Sequence, residues 1–239
     1  MEENNPPELS IVIPVYNEED MIRTAVEGLV GGLDAIGRSY EIVLAENGSS
    51  DATATLAEEL GQRFDRVRMR QTSEPNYGRA LRDGILDAHG DIVVCEEIDL
   101  CDLDFLSRAL QLLDDNEVDL VVGSKAMEGA DDGRPLSRRA GTRAINLLLR
   151  WTLGFRGTDT HGLKAFRRNA VAPVARTCVA EKDLFASELV IRAEREGLAV
   201  CEIPVSVREK RPPTVGLLRR VPGVMTHLAK LIIAIRVQK

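Results

Sequence analysis

Chemistry concentrates in the stretch from Asp91 to Phe105, DIVVCEEIDLCDLDF, where an apolar run stops at a knot of carboxylates. Ile92, Val93, Val94 and Cys95 have the continuous apolar character of a strand buried on both faces of a parallel sheet. Directly after it come Glu96, Glu97, Asp99, Asp102 and Asp104, at the carboxyl edge where open α/β sheets bind ligands. Crowded like charges repel, so a positive group belongs among them. A hard divalent cation, taking oxygen ligands and itself holding a substrate's phosphates, meets that need. Glu97 and Asp99, two residues apart, leave an extended chain on the same face and can reach one ion, or an ion and a ribose. Asp102 and Asp104 lie where a helix should start, and read as caps of that helix.

The elements that must position these acids alternate regularly. Leu9 to Tyr16 is a buried strand ending at the polar turn Asn17-Glu18-Glu19-Asp20, and Met21, Ile22, Ala25, Val26, Leu29, Val30 and Leu33 then give a helix one apolar face. Tyr40 to Ala45 repeats the strand, and Glu46-Asn47-Gly48-Ser49-Ser50-Asp51 turns into a helix reaching Phe64. Val67 to Arg70 is a third strand, followed by Pro75-Asn76-Tyr77-Gly78 and a helix broken at Gly90. Four strands joined by helical crossovers predict a parallel, doubly wound α/β sheet with helices on both faces. The polar turns Tyr16-Asn17-Glu18, Glu46-Asn47-Gly48 and Glu97-Ile98-Asp99 then share one edge and can surround a nucleotide. No G-x-G-x-x-G follows the first strand and no G-x-x-x-x-G-K-[ST] occurs, so neither NAD nor P-loop chemistry is supported.

The chain of 239 residues, 44% hydrophobic, suffices for one sizeable domain. We divide it into a catalytic domain over 1–211 and a C-terminal basic amphipathic helix over 212–239. Cys95, Cys101, Cys178 and Cys201 lack zinc-ligand spacing and read as reduced thiols. The acidic start, MEENNPPE, has no apolar signal core, and the longest apolar run near the end, Leu231 to Ile235, is far below the ~20 residues of a membrane span. A cytoplasmic protein, peripheral on the inner face of a membrane, is expected. The formal charge of −7 argues against nucleic acid, yet it is unevenly spread: residues 208–239 carry eight Lys or Arg against Glu209 alone. A basic tail on an acidic body suits an anionic surface or substrate.

Taken in order, PVYNEE, ENGSSDAT, NYGRALRDGI, EEIDL, VVGSKAMEGADDGRPLSRR, TDTHGLKAFRR, LFASELVIRAEREGL and EIPVSVREKR resemble glycosyltransferase family 2, in its dolichyl- or polyprenyl-phosphate sugar transferase branch. The resemblance covers about residues 9 to 211. It implies a GT-A fold, a nucleotide-diphosphate sugar donor of the GDP-mannose or UDP-glucose type, and Mg2+ or Mn2+ on Glu97 and Asp99. Donor-binding residues carried over are Pro14, Tyr16, Asn17, Glu18, Glu46, Asn47, Gly48, Gly78, Arg79, Glu97, Ile98 and Asp99. Two positions depart from the family pattern: the D-x-D is Glu97-Ile98-Asp99 with Cys101 where Gln is usual, and Asp-Asp-Gly-Ser is Glu46-Asn47-Gly48-Ser49. Cys101 is a poor ligand for magnesium.

After the strand Val118 to Val122, Lys125 replaces the family's arginine, and Met127 to Pro135 forms a Gly-, Asp- and Pro-containing loop, plausible as a cover for the site. Leu136 to Leu153 is a helix, suited to core packing or to a lipid-facing groove. Thr158 to Lys164 stands where the family has Asp-x-x-Ser-Gly-Phe-Arg, which puts Lys164 at the basic position. A lipid monophosphate is largely ionised at neutral pH. It needs alignment and positive charge rather than a base, and the roles fall to Asp99 with its metal, Lys125, Lys164, Arg208 and Lys210. With a soluble hydroxyl acceptor a base is needed, and His161 or Glu188 becomes the candidate. A non-catalytic nucleotide-sugar binder is the further alternative. In the tail, Leu217, Val221, Val224, Leu228, Leu231 and Ile235 make an apolar stripe that fits an anionic bilayer, the domain itself or a second copy in a homodimer.

Overall fold

The computed structural model describes residues 5–115, 117–207 and 228–236. The chain runs β1 (Leu9–Val15), α1 (Ile22–Ile36), β2 (Tyr40–Asn47), α2 (Thr53–Arg63), β3 (Val67–Thr72), α3 (Tyr77–Asp87), β4 (Ile92–Cys95), α4 (Leu103–Asp114) and β5 (Leu120–Ser124). It continues with β6 (Asp131–Asp132), α5 (Leu136–Leu153), β7 (Lys164–Arg167), α6 (Arg168–Thr177), a 3-10 turn at Lys182–Leu184, α7 (Phe185–Arg195), β8 (Val200–Pro204) and β9 (Ser206–Val207), and residues 228–236 are helical. Seven strands form one sheet in the order β3-β2-β1-β4-β7-β5-β8. The expected doubly wound α/β sheet is present.

The strands read as unbroken apolar runs because each feeds two cores. Ile11, Ile13, Ile42 and Leu44 pack on one face with Val26, Leu29 and Leu33 of α1 and with Phe105 and Leu106 of α4. Val12, Val43 and Val93 point to the other face, among Leu81 and Ile85 of α3, Phe185 and Leu189 of α7, and Leu149 and Leu153 of α5. The alternation of Cβ direction assigns neighbours on one strand to opposite layers.

Strand β7 was not expected, and neither were the short strands β6 and β9. β7 lies between β4 and β5 and runs antiparallel to both, with Lys164 opposite Cys95 and Val122. Its four residues are too few to show a period. Because it runs against its neighbours, it begins at the edge where they end, and that places the 158–163 segment at the ligand-binding edge.

The segment from Met127 to Pro135, read as a loop covering the site, is pinned by strand pairing: β6 pairs with β9, and Gly133 N donates to the Val207 carbonyl at 3.0 Å. In the tail, the described part of the stripe faces the protein. Leu228, Leu231 and Ile235 are buried among the residues of α5 and α7, and Arg195 donates to the Ile235 carbonyl at 3.0 Å. Leu217, Val221, Val224, the boundary at 211/212 and the basic residues Arg208 and Lys210 lie outside the described residues. No described helix is long and apolar enough to cross a membrane.

The amino edge of the sheet is tied by one carboxylate. Glu41 at the start of β2 accepts from Ser10 Oγ at 2.6 Å, Arg68 Nε at 2.7 Å and His89 N at 2.7 Å, which joins β1, β2, β3 and the turn before β4. Burial raises its pKa, but the donors prevail and hold it down at about 2 against an ordinary 4.5. A depressed acid stabilises the fold above its unfolded pKa and loses that contribution as pH falls toward the folded value. Glu41→Gln is therefore expected to lower unfolding free energy at pH 7 by about 2–3 kcal/mol, and by much less at pH 3, in denaturant titrations at the two pH values.

Candidate functional site

The site is built where β1, β2, β4 and β5 end. At the first of these ends, Asn17 adopts the left-handed conformation at φ +53, which asparagine tolerates. Its amide donates to Ser49 Oγ at 3.0 Å and its side chain accepts from Ser50 N at 2.9 Å. Glu18 N donates to Thr53 Oγ1 at 2.7 Å. Asn47, at the end of β2, accepts from Asn76 N at 2.5 Å. These bonds close the first two turns against each other and against the start of α3, so Tyr16, Asn17, Glu18, Glu46, Asn47 and Gly48 form one connected rim. Gly48 sits at φ +69, where a side chain would also press on the Glu74–Pro75 backbone. Glu46 is fully buried; its Oε1 accepts from Ser49 N at 2.6 Å, while Oε2 is one of two buried side-chain atoms without a partner among the described residues.

The turn after β4 differs from expectation in its backbone. Glu97 and Asp99 do not leave an extended chain: the Glu97 carbonyl accepts from Leu100 N at 2.9 Å and Cys101 N at 3.1 Å, which makes 97–101 a tight turn. Both nonetheless reach one cavity, because Ile98 between them is buried in the core and anchors the turn. Cys101, at φ +46, directs its sulfur toward the Glu97 and Ile98 carbonyls, not into the cavity. Asp102 caps α4 as expected, accepting from Asp104 N and Phe105 N, whereas Asp104, read as a cap too, lies in the first turn of the helix and pairs with Arg108 at 2.8 Å. Glu96 is buried and accepts from Asp102 N at 3.2 Å; desolvation pushes its pKa well above the ordinary value.

Two cavities meet at Glu97, Lys125, Arg134, Arg138 and His161. One, of about 190 Å3, adds Asp99, Gly162 and Leu163; the other, of about 420 Å3, adds Tyr77, Thr142, Ile145 and Asn146. Lys125, just past β5, pairs with the buried Asp159 at 3.1 Å. Burial raises the Asp159 pKa, but Lys125 and the donors around it hold it down. The Glu97 carboxyl is reached by solvent through the open cavity yet walled by protein, and this desolvation pushes its pKa up against the pull of Lys125 and Lys164. His161 lines both cavities; its amide donates to Asp159 Oδ1 at 2.9 Å and its ring meets Thr160 Oγ1 at 3.0 Å.

Several expected site residues take other places. Lys164 lines neither cavity. It is buried below them at the start of β7, where Nζ donates to the Gly162 carbonyl at 2.7 Å and desolvation lowers its pKa, so it acts as a fixed charge beneath Glu97 and Asp159. Arg79 is exposed, 3.9 Å from Asp83, and is not among the lining residues. Pro14 lies within β1. Glu188 accepts from Arg192 Nε at 2.7 Å and from the amides of Val179 and Ala180, which is a structural role. Arg134, Arg138 and Tyr77 were missed. Only the apolar period of α5 was legible, and which of its arginines turn inward depends on how the helix docks.

Two carboxylates sharing a cavity suit a hard cation. No group of three or more His, Cys, Asp or Glu among the described residues could hold an ion by itself. Glu97 and Asp99 would therefore complete a shell with phosphate oxygens and water, a common arrangement for magnesium. Gly78 serves packing: a Cβ there would lie 2.4 Å from the Lys182 carbonyl oxygen. Glycine to alanine inside a helix ordinarily stabilises. Gly78→Ala is expected instead to destabilise by about 1–3 kcal/mol in thermal or denaturant unfolding.

The sequence matches the model of the family described as Glycosyl transferase family 2 over residues 10–173. Glycosyltransferase AglD of Haloferax volcanii is 32% identical over 231 residues, 93% of this chain and 36% of that protein. The dolichyl-phosphate hexose transferase of the same organism is 28% identical, covering 87% of this chain and 86% of its own length. The undecaprenyl-phosphate 4-deoxy-4-formamido-L-arabinose transferase of Edwardsiella ictaluri is 30% identical, covering 89% and 64%. The chain thus spans about a third of the first relative and about two thirds of the last. Among solved structures, glucosyl-3-phosphoglycerate synthase from Mycobacterium tuberculosis, in complex with Mn2+, uridine diphosphate and glucosyl-3-phosphoglycerate, superposes with a TM-score of 0.68 at 20% identity. That superposition covers 96% of this chain and 80% of the synthase, and shows the fold to be GT-A. With a family match that spans all four strand ends building the site, this chain belongs to glycosyl transferase family 2.

Proposed function

We propose that this chain transfers a hexose, with inversion, from a nucleotide-diphosphate sugar of the GDP-mannose or UDP-glucose type to a polyprenyl or dolichyl phosphate. The observation that carries this reading is the shared cavity, where Glu97 and Asp99 face Lys125, Arg134 and Arg138. Acids and cations lining one cavity fit two anionic substrates, one held through a metal and one held directly. The names of the dolichyl-phosphate hexose transferase and the undecaprenyl-phosphate transferase point to the same acceptor class.

Donor recognition falls to the first rim. The unpartnered Glu46 Oε2 is an acceptor for an N–H on the edge of the base, and Asn17, Asn47 and Gly48 hold the neighbouring backbone for the ribose. A divalent cation, Mg2+ or Mn2+, on Glu97 and Asp99 would offset the charge of the leaving diphosphate. The manganese in the mycobacterial synthase is consistent with such an ion on this fold.

In the transfer, an oxygen of the lipid phosphate forms the bond to the anomeric carbon as the bond to the diphosphate oxygen breaks, and the electron pair leaves with the nucleoside diphosphate. The acceptor oxygen is already largely ionised at neutral pH. Lys125 and the two arginines therefore align and hold it, and none needs to remove a proton. Lys164 and Asp159 fix Lys125 and Glu97 from below. A hydroxyl acceptor would require a base, and His161 is the imidazole that lines both cavities.

The test is a matrix of nucleotide sugars and acceptors, with and without manganese, that reads released nucleoside diphosphate. Transfer is expected only with metal and lipid phosphate, and to vanish in Asp99→Ala. Equal donor affinity in EDTA and in manganese would remove the metal from the scheme, and transfer to a soluble sugar alcohol alone would move the base role to His161. Lys125→Met keeps the aliphatic stem and loses the charge, so losing a charge-assisted bond of about 1.5–3 kcal/mol should cut turnover by roughly one to two orders of magnitude.

A further inference from the structure

Two polar groups of the site are held through a carboxylate that lines neither cavity. Glu202 lies in β8, opposite Val122 of β5, and leaves the sheet on the face that α5 and α7 cover. Its oxygens take three donors from one turn: Oε1 accepts from Thr158 N at 2.7 Å and Asp159 N at 3.0 Å, and Oε2 accepts from Thr158 Oγ1 at 2.7 Å. Helix α5 clamps the same turn by its carbonyls, with Asn146 Nδ2 donating to Thr158 and Arg150 Nη2 donating to Gly157 at 2.8 Å. The approach is so close that a Cβ on Gly157 would stand 2.5 Å from Glu202 Oε1.

From this turn the hold reaches Lys125 by two routes. The first is Asp159, fully buried, whose Oδ2 pairs with Lys125 Nζ at 3.1 Å while Oδ1 accepts from His161 N at 2.9 Å. The second is a chain of hydroxyls: Ser124 Oγ lies 2.7 Å from Thr158 Oγ1 and accepts from Ala126 N at 3.1 Å. A carboxylate only accepts, so the Thr158 hydroxyl donates to Glu202 and is left to accept from Ser124. The chain therefore runs one way, from Ala126 N through Ser124 and Thr158 to Glu202, and it binds the residues on either side of Lys125.

A lysine needs such fixing. Its ammonium is a compact charge on a flexible stem, without the rigid fork by which an arginine holds its own geometry. The Lys125 side chain is only 12% exposed, yet it lines both cavities, so its place on the wall is set by its partner within the protein. With the Asp159 amide tied to Glu202, the acid cannot follow the lysine outward, and the ammonium stays where the cavities meet.

We infer that Glu202 is a positioning residue for Lys125: by closing the turn 157–159 it sets Asp159 and the Ser124–Thr158 chain, and through them the place of the ammonium at the cavity. Glu202 itself touches no substrate. Its effect on transfer rests on the role proposed for Lys125 at the acceptor phosphate, whereas its effect on the lysine rests on the contacts alone. Glu202→Gln keeps the size of the side chain but leaves one acceptor for the two amides and puts a donor where the Thr158 hydroxyl needs an acceptor. The hydroxyl chain must then reverse, and Ser124 loses the group to which it donates.

The test labels the full-length protein with dilute acetic anhydride and follows Lys125 by peptide mass spectrometry, with the exposed Lys230 as internal reference. Glu202→Gln should raise the labelling rate of Lys125 at least about threefold relative to Lys230, with unchanged circular dichroism. Thr158→Val cuts only the hydroxyl chain and should act in the same direction but less; if Glu202→Gln does not fold, it carries the same comparison. In transfer assays Glu202→Gln should lower kcat/KM for the lipid phosphate by roughly an order of magnitude and leave KM for the nucleotide sugar unchanged. In a Lys125→Met background it should cost nothing further, because the group it positions is gone. An unchanged labelling rate at Lys125 overturns the inference. So does a loss that multiplies with that of Lys125→Met, or a rise in both KM values alike, since a carboxylate that only supports the fold would act that way. If even the parent protein transfers no sugar, the catalytic reading fails and the labelling alone decides the role of Glu202.

Discussion

Five acids at the end of a buried strand require compensation, and the sheet supplies it by inserting an antiparallel strand. β7 enters between β4 and β5 and brings Lys164 beside Cys95, immediately below the turn that carries Glu97 and Asp99. From the other side, Asp159 fixes Lys125 across from Glu97. An ion pair this buried contributes little net stability, because desolvation offsets the attraction. Its consequence is positional: the two cations and the two acids occupy defined places around one cavity before any ligand arrives, so little reorganisation is left for the moment of reaction.

The two edges of the sheet use charge differently. At the amino edge, Glu41 is saturated with donors from two neighbouring strands and a turn, and its depressed pKa reports an interaction that is complete in the folded chain. At the carboxyl edge, Glu46 keeps an oxygen without a partner and Glu97 carries a raised pKa. A satisfied network at one end holds the strands in register, and incomplete groups at the other belong to the candidate site.

The helix α5 links the cavity to the outside. One side is core, an adjacent side is cavity wall with Arg138, Thr142 and Asn146, and the third is the exposed apolar and basic face. The loop before it is held by the pairing of β6 with β9, and Asp132 orders Arg134 through bonds of 2.8 Å from Nε and Nη2. Arg134 thereby keeps its charge at the cavity in a fixed geometry.

Much of the architecture was legible in the residues because burial on both faces leaves long apolar strands and one-sided helices, patterns that survive in one dimension. The acidic pair Glu97 and Asp99, the cap at Asp102 and the polar rim at Asn17, Glu46 and Asn47 could be placed for the same reason, since each directly follows a strand. What the sequence could not determine depends on contacts between distant segments. β7 is too short to carry a period. The inward turn of Arg134 and Arg138, and the placement of Lys164 under the cavity instead of in it, follow from docking angles and strand direction. The tail shows the limit most directly: a stripe of Leu228, Leu231 and Ile235 fits a bilayer or a core equally well, since both offer an apolar surface, and only the neighbouring α5 and α7 decide in favour of the core.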